Sequence, residues 1–206
     1  GGAVTAVLVV GAGGHARVCL EILADLDLTV LGCLNRDGVA DGRLPVPLLG
    51  PDSELEGRIA SGQVDVFVAV GDNRARLAIS TRVQQAGGRL VTLVSRSAVC
   101  SRSAVLGAGT VLMPGAIVNA GSRTGVSVIV NTNSSVDHDC VLGDGVHVAP
   151  GAAIAGGVSV GRGVLLGVGS RVVPGVQLGD HSTVGAGAVV LGPVDAGSTV
   201  AGVPAR

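Results

Sequence analysis

The sequence predicts two domains, a small Rossmann-like α/β domain followed by a parallel β-helix of about six coils. Two observations lead to this fold class. Residues 98–205 divide into eighteen consecutive six-residue units, whereas residues 1–94 alternate apolar runs with segments of helical spacing. We place a hinge at 95–97, so the predicted boundaries are 1–94, 95–97 and 98–206.

The elements of the first domain follow from its apolar periodicity. Continuous apolar runs, which are typical of strands covered on both faces of a parallel sheet, occur at 4–10, 29–34, 64–70 and 90–94. Segments with helical spacing lie between them, at 17–26, 52–60 and 74–86. Alternating strands and helices predict a small parallel sheet with helices packed on it.

A glycine-rich turn follows the first predicted strand, in the sequence Gly11-Ala12-Gly13-Gly14-His15-Ala16. A turn that opens a helix in this way presents backbone N–H groups at the positive end of the helix, where phosphate groups bind. The dinucleotide fingerprint is matched only in part, because Ala16 stands in its third glycine position. The turn is therefore compatible with a nicotinamide cofactor, with a nucleotide-linked sugar, or with a tight turn that binds nothing.

The six-residue units predict a triangular coil with three units per turn. Their first place is small or β-branched and their third place is almost always Leu, Ile or Val, so both point into a narrow interior. Places four to six collect turn residues, including Pro-Gly at Pro114, Pro150 and Pro174. The second place points outward, and we expect its apolar members to be exposed on a single chain and covered in an oligomer. These members are Val111, Ile129, Val141, Leu165 and Val189.

Composition excludes several classes of protein. A net charge of −1 gives no electrostatic basis for binding nucleic acid or an anionic membrane. No stretch approaches the roughly 18 apolar residues of a membrane span. The four cysteines are scattered without metal or disulfide spacing, and no basic, then apolar, signal segment is present, so we expect a cytoplasmic protein with reduced thiols.

Histidines supply the candidate chemistry of the β-helix. His138 lies between Asp137 and Asp139, and carboxylates beside an imidazole favour a general base, although a surface corner residue fits the spacing equally well. His147 occupies an outward second place, either as a solvated side chain or as a donor on an outer groove. His181 is expected to be structural or solvated. The phases of these three histidines do not converge, so no metal site is expected.

Three motifs and the C-terminal ending stand out along the sequence. They are Val10-Gly11-Ala12-Gly13-Gly14-His15-Ala16, Ala69-Val70-Gly71-Asp72-Asn73-Arg74, the segment from Val130-Asn131-Thr132 through Val136-Asp137-His138-Asp139-Cys140, and Ala201-Gly202-Val203-Pro204-Ala205-Arg206. In these motifs, and over essentially the whole sequence, the chain resembles the PglD/NeuD-type sugar acetyltransferases.

The resemblance implies a left-handed β-helix assembled as a homotrimer, with acetyl-CoA in the groove between neighbouring β-helices. By the same resemblance, His138 is the general base and Asp139 orients it. His147 then contacts the acetyl carbonyl, and Val168 and Ala186 line the path of CoA through their backbone. Ala186 replaces a frequent glycine.

The resemblance also implies that the first domain holds a nucleotide-linked amino sugar. The implied contacts are Gly13, Gly14, His15, Asn35, Arg36 and Gly71. This chain has Asn35-Arg36 followed by Asp37 where the family often has an acidic pair, which affects the expected base and sugar preference.

We therefore expect an acetyl-CoA-dependent N-acetyltransferase that acts on a nucleotide-linked amino sugar, with a 4-amino-4,6-dideoxy sugar as the implied acceptor. Transfer is expected to be direct, without a metal and without a covalent enzyme intermediate. The alternatives are a sialic-acid-type sugar O-acetyltransferase, a metal enzyme of the γ-carbonic anhydrase type, and a non-catalytic protein that binds sugar nucleotides. A nicotinamide enzyme would leave the repeats and Asp137-His138-Asp139 without a role.

Overall fold

The computed structural model describes residues 6–39, 42–62 and 64–206 and divides the chain into two compact units, 1–93 and 94–206. Each unit has its own sheet system. Val4 and Thr5, with which the first apolar run begins, lie outside the described residues.

The first unit is a five-stranded parallel sheet with the strand order β3-β2-β1-β4-β5. Its strands are β1 (Val7–Val10), β2 (Val30–Asn35), β3 (Leu48–Pro51), β4 (Asp65–Val68) and β5 (Arg89–Leu90). Its helices are α1 (Gly14–Asp25), α2 (Leu55–Ala60) and α3 (Asn73–Gln85), with a 3-10 turn at Asp52–Glu54. This confirms the α/β architecture that the alternating pattern predicts.

The sheet differs from the prediction in two places. The strand β3 was not predicted, because Gly50 and Pro51 interrupt its apolar character, but an edge strand tolerates both residues. The predicted strand at 90–94 is two short strands, β5 and Leu93–Val94, and only β5 belongs to this sheet. The residues between them carry the chain from one unit to the next.

Two adjacent strands of the first unit approach closely at their carboxyl ends. Gly11 follows β1 with φ +127°, and a Cβ placed on it would overlap the carbonyl oxygen of Ala69 after β4. Only glycine combines this backbone conformation with this contact. The glycine therefore fixes the two loops beside each other at one edge of the sheet.

The second unit is a β-helix with three parallel faces, whose paired residues stand eighteen apart. The first face contains Leu93–Val94, Val111–Leu112, Ile129–Val130, His147–Val148, Leu165–Leu166, Thr183–Val184 and Thr199–Val200. The second face contains Val99–Cys100, Ile117–Val118, Ser135–Val136, Ala153–Ile154, Arg171–Val172 and Val189–Val190. The third face contains Arg123–Thr124, Val141–Leu142, Ser159–Val160 and Gln177–Leu178. The predicted coil of three units per turn is confirmed.

The interior is built from the first and third places, as the pattern predicts. Most of these residues, such as Val128, Val130 and Val146, are fully buried in one continuous cluster. The sixth place adopts a positive φ in every unit from Gly109 to Gly187. Four of these corners carry a side chain, at Ser127, Asn133, Asp139 and His181. A non-glycine residue in this conformation is uncommon.

The six-residue phase ends before the C-terminus, contrary to the prediction of eighteen unbroken units. Leu178 pairs with Val194 and Thr183 with Thr199, so each pair stands sixteen residues apart instead of eighteen. Pro193 falls where a sixth place would need a positive φ, which the pyrrolidine ring forbids. The last coil is therefore two residues shorter, and Val194 and Val200 take the inward positions that the unbroken phase assigned to Ala196 and Gly202.

The outward second places are less exposed than expected. Val141 is 52% exposed, and Leu165 and Val189 are half-buried. Val111 and Ile129 are 1% exposed, so the expectation for these two is wrong, because the chain itself covers them. None of the helices in the described parts of the chain has the length and apolar character needed to cross a membrane.

Candidate active site

A histidine–aspartate pair lies at the corner between the second and third faces. The distance between His138 Nδ1 and Asp139 Oδ2 is 2.9 Å, and both side chains are largely exposed. The hydrogen bond to Asp139, followed by the negative charge of Asp137, raises the pKa of the His138 imidazole above its ordinary value. Since the carboxylate accepts a hydrogen bond from Nδ1–H, the lone pair of Nε2 is the basic site.

Two glycines enclose this pair from the coils before and after it. A Cβ on Gly156 would lie 2.5 Å from His138 Nε2, so the imidazole ring lies directly against that glycine. A Cβ on Gly121 would lie 2.5 Å from Asp139 Oδ1. Both glycines are eighteen residues from the side chain they contact, which is one coil. The stacking of coils thus leaves space for the pair only because these positions lack side chains.

A second aspartate holds the backbone of the same corner. The Oδ1 of Asp137 accepts hydrogen bonds from the His138 N–H at 2.8 Å and from Asn119 Nδ2 at 3.0 Å. These two bonds lower the pKa of Asp137, so its carboxylate is ionised when His138 acts as a base. Asp137 makes no hydrogen bond with the imidazole ring, and it influences the ring by charge alone.

Cys140 lies close to His138 in sequence but has the wrong environment for a nucleophile. Its side chain is buried, with Sγ 3.2 Å from the carbonyl oxygen of Ala155 and 3.6 Å from that of His138. Burial raises the pKa of the thiol, which disfavours the reactive thiolate. The arrangement therefore points to direct transfer without a cysteine intermediate.

His147 lies on the first face, opposite the corner that carries His138. Asn131 Nδ2 is 2.9 Å from His147 Nε2, while Asn131 Oδ1 accepts the N–H of Thr132 at 2.8 Å. The amide is thereby oriented to donate, so Nε2 of His147 is the acceptor and Nδ1 carries the proton. Because a corner and the face opposite it point in opposite directions, one chain does not bring His138 and His147 together.

An open groove of about 500 Å³ runs along the second face. Small and apolar residues, including Ala153, Val173 and Val189, form most of its wall. Asn119 lies in the first coil that the groove touches, Asp137 in the next, and Arg171 two coils beyond Asp137. Val168 and Ala186 lie on the other border of this face, exposed and one coil apart at the corner between the first and second faces. The groove therefore lies between His138 and the two residues expected to line the path of CoA.

The predicted substrate-binding residues of the first unit lie together at the edge of its sheet that is formed by the carboxyl ends of the strands. Gly13 and Gly14 follow β1, Asn35 and Arg36 stand at the end of β2, and Gly71 follows β4. These strands are adjacent in the sheet, so their carboxyl ends form a single edge, where ligands of open α/β sheets bind.

The members of this edge differ in what they offer a ligand. A Cβ on Gly13 or Gly71 would meet nothing within 4 Å, so the backbone there is open to close approach. Asn35 instead uses its side chain within the protein: Oδ1 accepts the Gly38 N–H at 2.6 Å and Nδ2 donates to the Val39 carbonyl at 2.8 Å. Its side chain thus closes the loop after β2 and orders Arg36, which is exposed.

His15 and a buried arginine stand behind this edge. Arg76 is 1% exposed and donates to the carbonyls of Val70 and Gly71, at 3.0 and 2.9 Å, and to Asn73 Oδ1 at 2.8 Å. Burial, followed by the charge of Arg76, lowers the pKa of His15 to about 4. His15 is therefore a neutral imidazole at neutral pH, able both to donate and to accept a hydrogen bond.

Asn119, Asn131, Gly156 and Arg76 had no predicted role, although Asn131 belongs to one of the motifs. The repeat period could have predicted the contacts of Asn119 and Gly156, since residues eighteen apart in the same place of the repeat lie one coil apart. Arg76 carried no such signal. Within the described ranges no cluster of three or more His, Cys, Asp or Glu side chains has the geometry to hold a metal ion.

Two family profiles match this chain, one in each of its two units. The repeat of the second unit is that of the bacterial hexapeptide transferases, whose family profile matches residues 157–192. The profile of the PglD N-terminal domain matches residues 6–83. Both matches agree with the two units seen in the structure.

Solved structures extend the likeness over the whole chain. A variant of perosamine N-acetyltransferase from Caulobacter crescentus, in complex with CoA and GDP-perosamine, is 41% identical, with 99% of this chain and 97% of that chain covered and a TM-score of 0.95. The acetyltransferase domain of PglB from Neisseria gonorrhoeae, in complex with acetyl coenzyme A, is 37% identical, with 98% of each chain covered and a TM-score of 0.91. The chain belongs to the PglD-type family of hexapeptide-repeat acetyltransferases.

Proposed function

We propose that this chain transfers the acetyl group of acetyl-CoA to the amine of a nucleotide-linked amino sugar, with His138 as the general base. The observation that carries the proposal is the His138–Asp139 hydrogen bond of 2.9 Å, which leaves Nε2 as an exposed base whose pKa is raised. The Caulobacter crescentus relative, an N-acetyltransferase in complex with CoA and GDP-perosamine, supports the same chemistry, and it has been studied with one histidine replaced by asparagine or alanine.

The reaction follows from this geometry in two steps. The neutral amine of the sugar attacks the carbonyl carbon of the thioester, and Nε2 of His138 takes a proton from the amine as the carbon–nitrogen bond forms. The tetrahedral intermediate then collapses, the carbon–sulfur bond breaks, and the thiolate of CoA leaves and takes up the proton from His138. Asp139 stabilises the imidazolium between these steps.

We assign acetyl-CoA to the groove of the second face. Its length along the coils and its apolar wall suit the pantetheine arm, and His138 stands at one border. At the other border, the N–H groups of Val168 and Ala186 have no backbone acceptor among residues 94–206 and remain available to the cofactor. The complex of the Neisseria gonorrhoeae relative with acetyl coenzyme A supports acetyl-CoA as the ligand.

We propose that the active enzyme is a homotrimer in which neighbouring chains complete each site. His138 and His147 lie on opposite sides of one β-helix, so a single acetyl group can contact both only between two chains. In that arrangement, His147 of one chain lies at the acetyl group held beside His138 of its neighbour. Val141, an apolar side chain that is 52% exposed, is among the residues that packing between chains would cover.

The acceptor site that we propose in the first unit uses the edge formed by Gly13, Gly14, His15, Asn35, Arg36 and Gly71. Backbone N–H groups at the start of α1 suit the diphosphate, and the exposed Arg36 adds a positive charge. A 4-amino-4,6-dideoxy sugar is the acceptor that we infer, and the GDP-perosamine complex of the relative makes GDP the first carrier to test. Four free cysteines fit a reaction in the reducing cytoplasm.

The test is thiol release from acetyl-CoA with GDP-, UDP- and dTDP-linked amino sugars, comparing the wild type with His138→Ala. We expect turnover with an amino sugar and a loss of about a hundredfold or more in the variant, the usual contribution of a general base. Mass spectrometry of the product separates an amide from an ester, and so separates this function from sugar O-acetylation. The absence of thiol release with every amino sugar would contradict the proposal.

A further inference from the structure

We infer that Asn119 and Asp137 form a positioning pair that fixes His138 from the neighbouring coil. The inference rests on the proposed function, because it assigns a role within the same site. Both residues also line the groove of the second face, but the role inferred here is one of positioning the base. They act through the backbone and the charge environment of the base.

The geometry of the pair centres on one oxygen atom. Asp137 Oδ1 accepts from the His138 N–H at 2.8 Å and from Asn119 Nδ2 at 3.0 Å. Asn119 belongs to the preceding coil, in the same place of the repeat as Asp137. The bond from Asn119 therefore ties the corner that carries His138 to a coil whose position is already set by its own sheet pairing.

The two aspartates beside His138 have different tasks in this arrangement. Asp139 accepts from Nδ1 and determines which ring nitrogen carries the proton, whereas Asp137 binds the main chain and leaves the ring free. A carboxylate that already accepts two N–H groups is held in one orientation. Asp137 thus keeps a fixed negative charge near the ring that favours the imidazolium formed during the reaction.

The surroundings of His138 contain no competing charge. The charges that act on its ring are those of Asp137 and Asp139, both in its own unit. The preceding coil contributes Asn119 and Gly121, and the following coil contributes Gly156, all of them uncharged. A change in the pKa of His138 on substitution of Asn119 would therefore report the state of Asp137.

Four variants test the inference: Asp137→Asn, Asp137→Ala, Asn119→Ala, and Asn119→Ala combined with Asp137→Ala. Asp137→Asn keeps an acceptor oxygen but removes the charge, so we expect the pKa of His138 and the acidic limb of kcat/KM to move to lower pH. Asn119→Ala should lower kcat by about tenfold and lower the pKa of His138, because Asp137 is then no longer held beside the ring. Because Asn119 acts through Asp137, it should add nothing to the effect of Asp137→Ala alone.

Asp180→Asn is the matched control. The Oδ1 of Asp180 accepts the Arg162 N–H at 2.8 Å at a corner between the third and first faces, away from His138. This variant should leave the pKa of His138 and the pH profile unchanged, as would any substitution whose effect is only on the stability of a corner.

The titration of His138 by NMR, without substrates, separates this inference from the proposed function. One outcome is that the pKa of His138 falls in Asp137→Asn and not in Asp180→Asn while acetyl transfer fails. That result would support the positioning pair and contradict the proposed reaction. An unchanged pKa in Asp137→Asn, or additive losses in the double variant, would overturn the inference.

Discussion

At the scale of single residues, the candidate base is defined by neighbours with separate roles. Asp139 selects the ring nitrogen that carries the proton, Asp137 holds the backbone, and Gly156 gives the ring its place. Asp139 does so from a backbone conformation with φ +58°, which most residues avoid and which aspartate and asparagine tolerate. The choice of residue at this corner is thus limited both by chemistry and by the backbone.

Asp139→Asn should shift the pH dependence of the reaction. The asparagine keeps the corner conformation but replaces the charged acceptor whose hydrogen bond chiefly raises the pKa of His138, so the pKa should fall. Since the base must be unprotonated, wild-type kcat/KM declines as pH falls through the raised pKa of His138, and in the variant this decline should begin at lower pH. A weaker base also lowers the maximal rate, by about tenfold to a hundredfold.

The measurement is kcat/KM from pH 5 to 9, with Asp144→Asn as the control. Asp144 accepts the Val126 N–H at 2.8 Å at another corner, and its substitution should leave the profile in place. An acidic limb that stays in place in Asp139→Asn would contradict the assigned role of Asp139.

Gly156→Ala should displace the imidazole of His138. The added methyl group would lie 2.5 Å from Nε2, so the ring must rotate away or the corner must move. We expect a loss of activity of about tenfold or more, because a base displaced by 1 Å loses its alignment with the amine. Steady-state kinetics of the purified variant measure this loss.

The control is Gly192→Ala. A Cβ on Gly192 meets nothing within 4 Å, and this glycine lies outside the described site, so the variant should retain its activity. Equal activity in the two variants would show that the ring does not depend on the space at Gly156.

At the scale of secondary-structure elements, the loop between β4 and α3 depends on one buried cation. Asp72 caps α3 by accepting the Ala75 N–H at 2.8 Å, and Arg76 turns back to bind the carbonyls of Val70 and Gly71. Carbonyls that are left without donors in a buried site cost free energy. The loop that carries Gly71 is therefore ordered by the first turn of the helix that follows it.

Arg76→Met should destabilise the first unit by about 1.5–3 kcal/mol, the usual contribution of hydrogen bonds to a charged group. It should also raise the pKa of His15 from about 4 toward its ordinary value, since the charge of Arg76 contributes to the lowering. Chemical denaturation and NMR titration of His15 measure the two effects.

Arg74→Met is the comparison, because Arg74 is an exposed residue in the same helical turn. It should change the free energy of unfolding by no more than about 0.5 kcal/mol. Equal stability of the two variants would show that the guanidinium of Arg76 does not hold the loop.

At the scale of the whole molecule, the positions of the two histidines require more than one chain. A light-scattering mass near three times the 20.0 kDa of the chain would agree with the proposed trimer. Oligomeric state alone does not show that chains share a site, so a functional assay is needed as well.

Mixed assemblies provide that assay. If His138 of one chain and His147 of its neighbour serve one site, co-refolding equal amounts of His138→Ala and His147→Ala should restore about a quarter of the wild-type activity, because a quarter of the interfaces then carry both histidines. Refolding each variant alone is the control. Mixtures no more active than their components would place the complete site within one chain.

The sequence by itself determined the repeat, the two-unit organisation and the His138–Asp139 pair, because these depend on near neighbours and on a short period. A small first place, an aliphatic third place and a turn at the corner fix a coil locally. The six-residue pattern ends at Pro193, because the pyrrolidine ring cannot take the positive φ of the corner, and the coil shortens there.

Only the tertiary structure decided which side chains share a contact across coils and across the sheet. The bonds from Asn119 to Asp137 and from Asn131 to His147 join residues eighteen and sixteen positions apart, and the burial of Arg76 depends on how α3 packs. Tertiary structure also set His138 and His147 on opposite sides of the β-helix. The physical reason is that these contacts depend on side-chain packing and coil stacking. The repeat pattern determines how many residues separate neighbouring coils, but it does not determine where each side chain points.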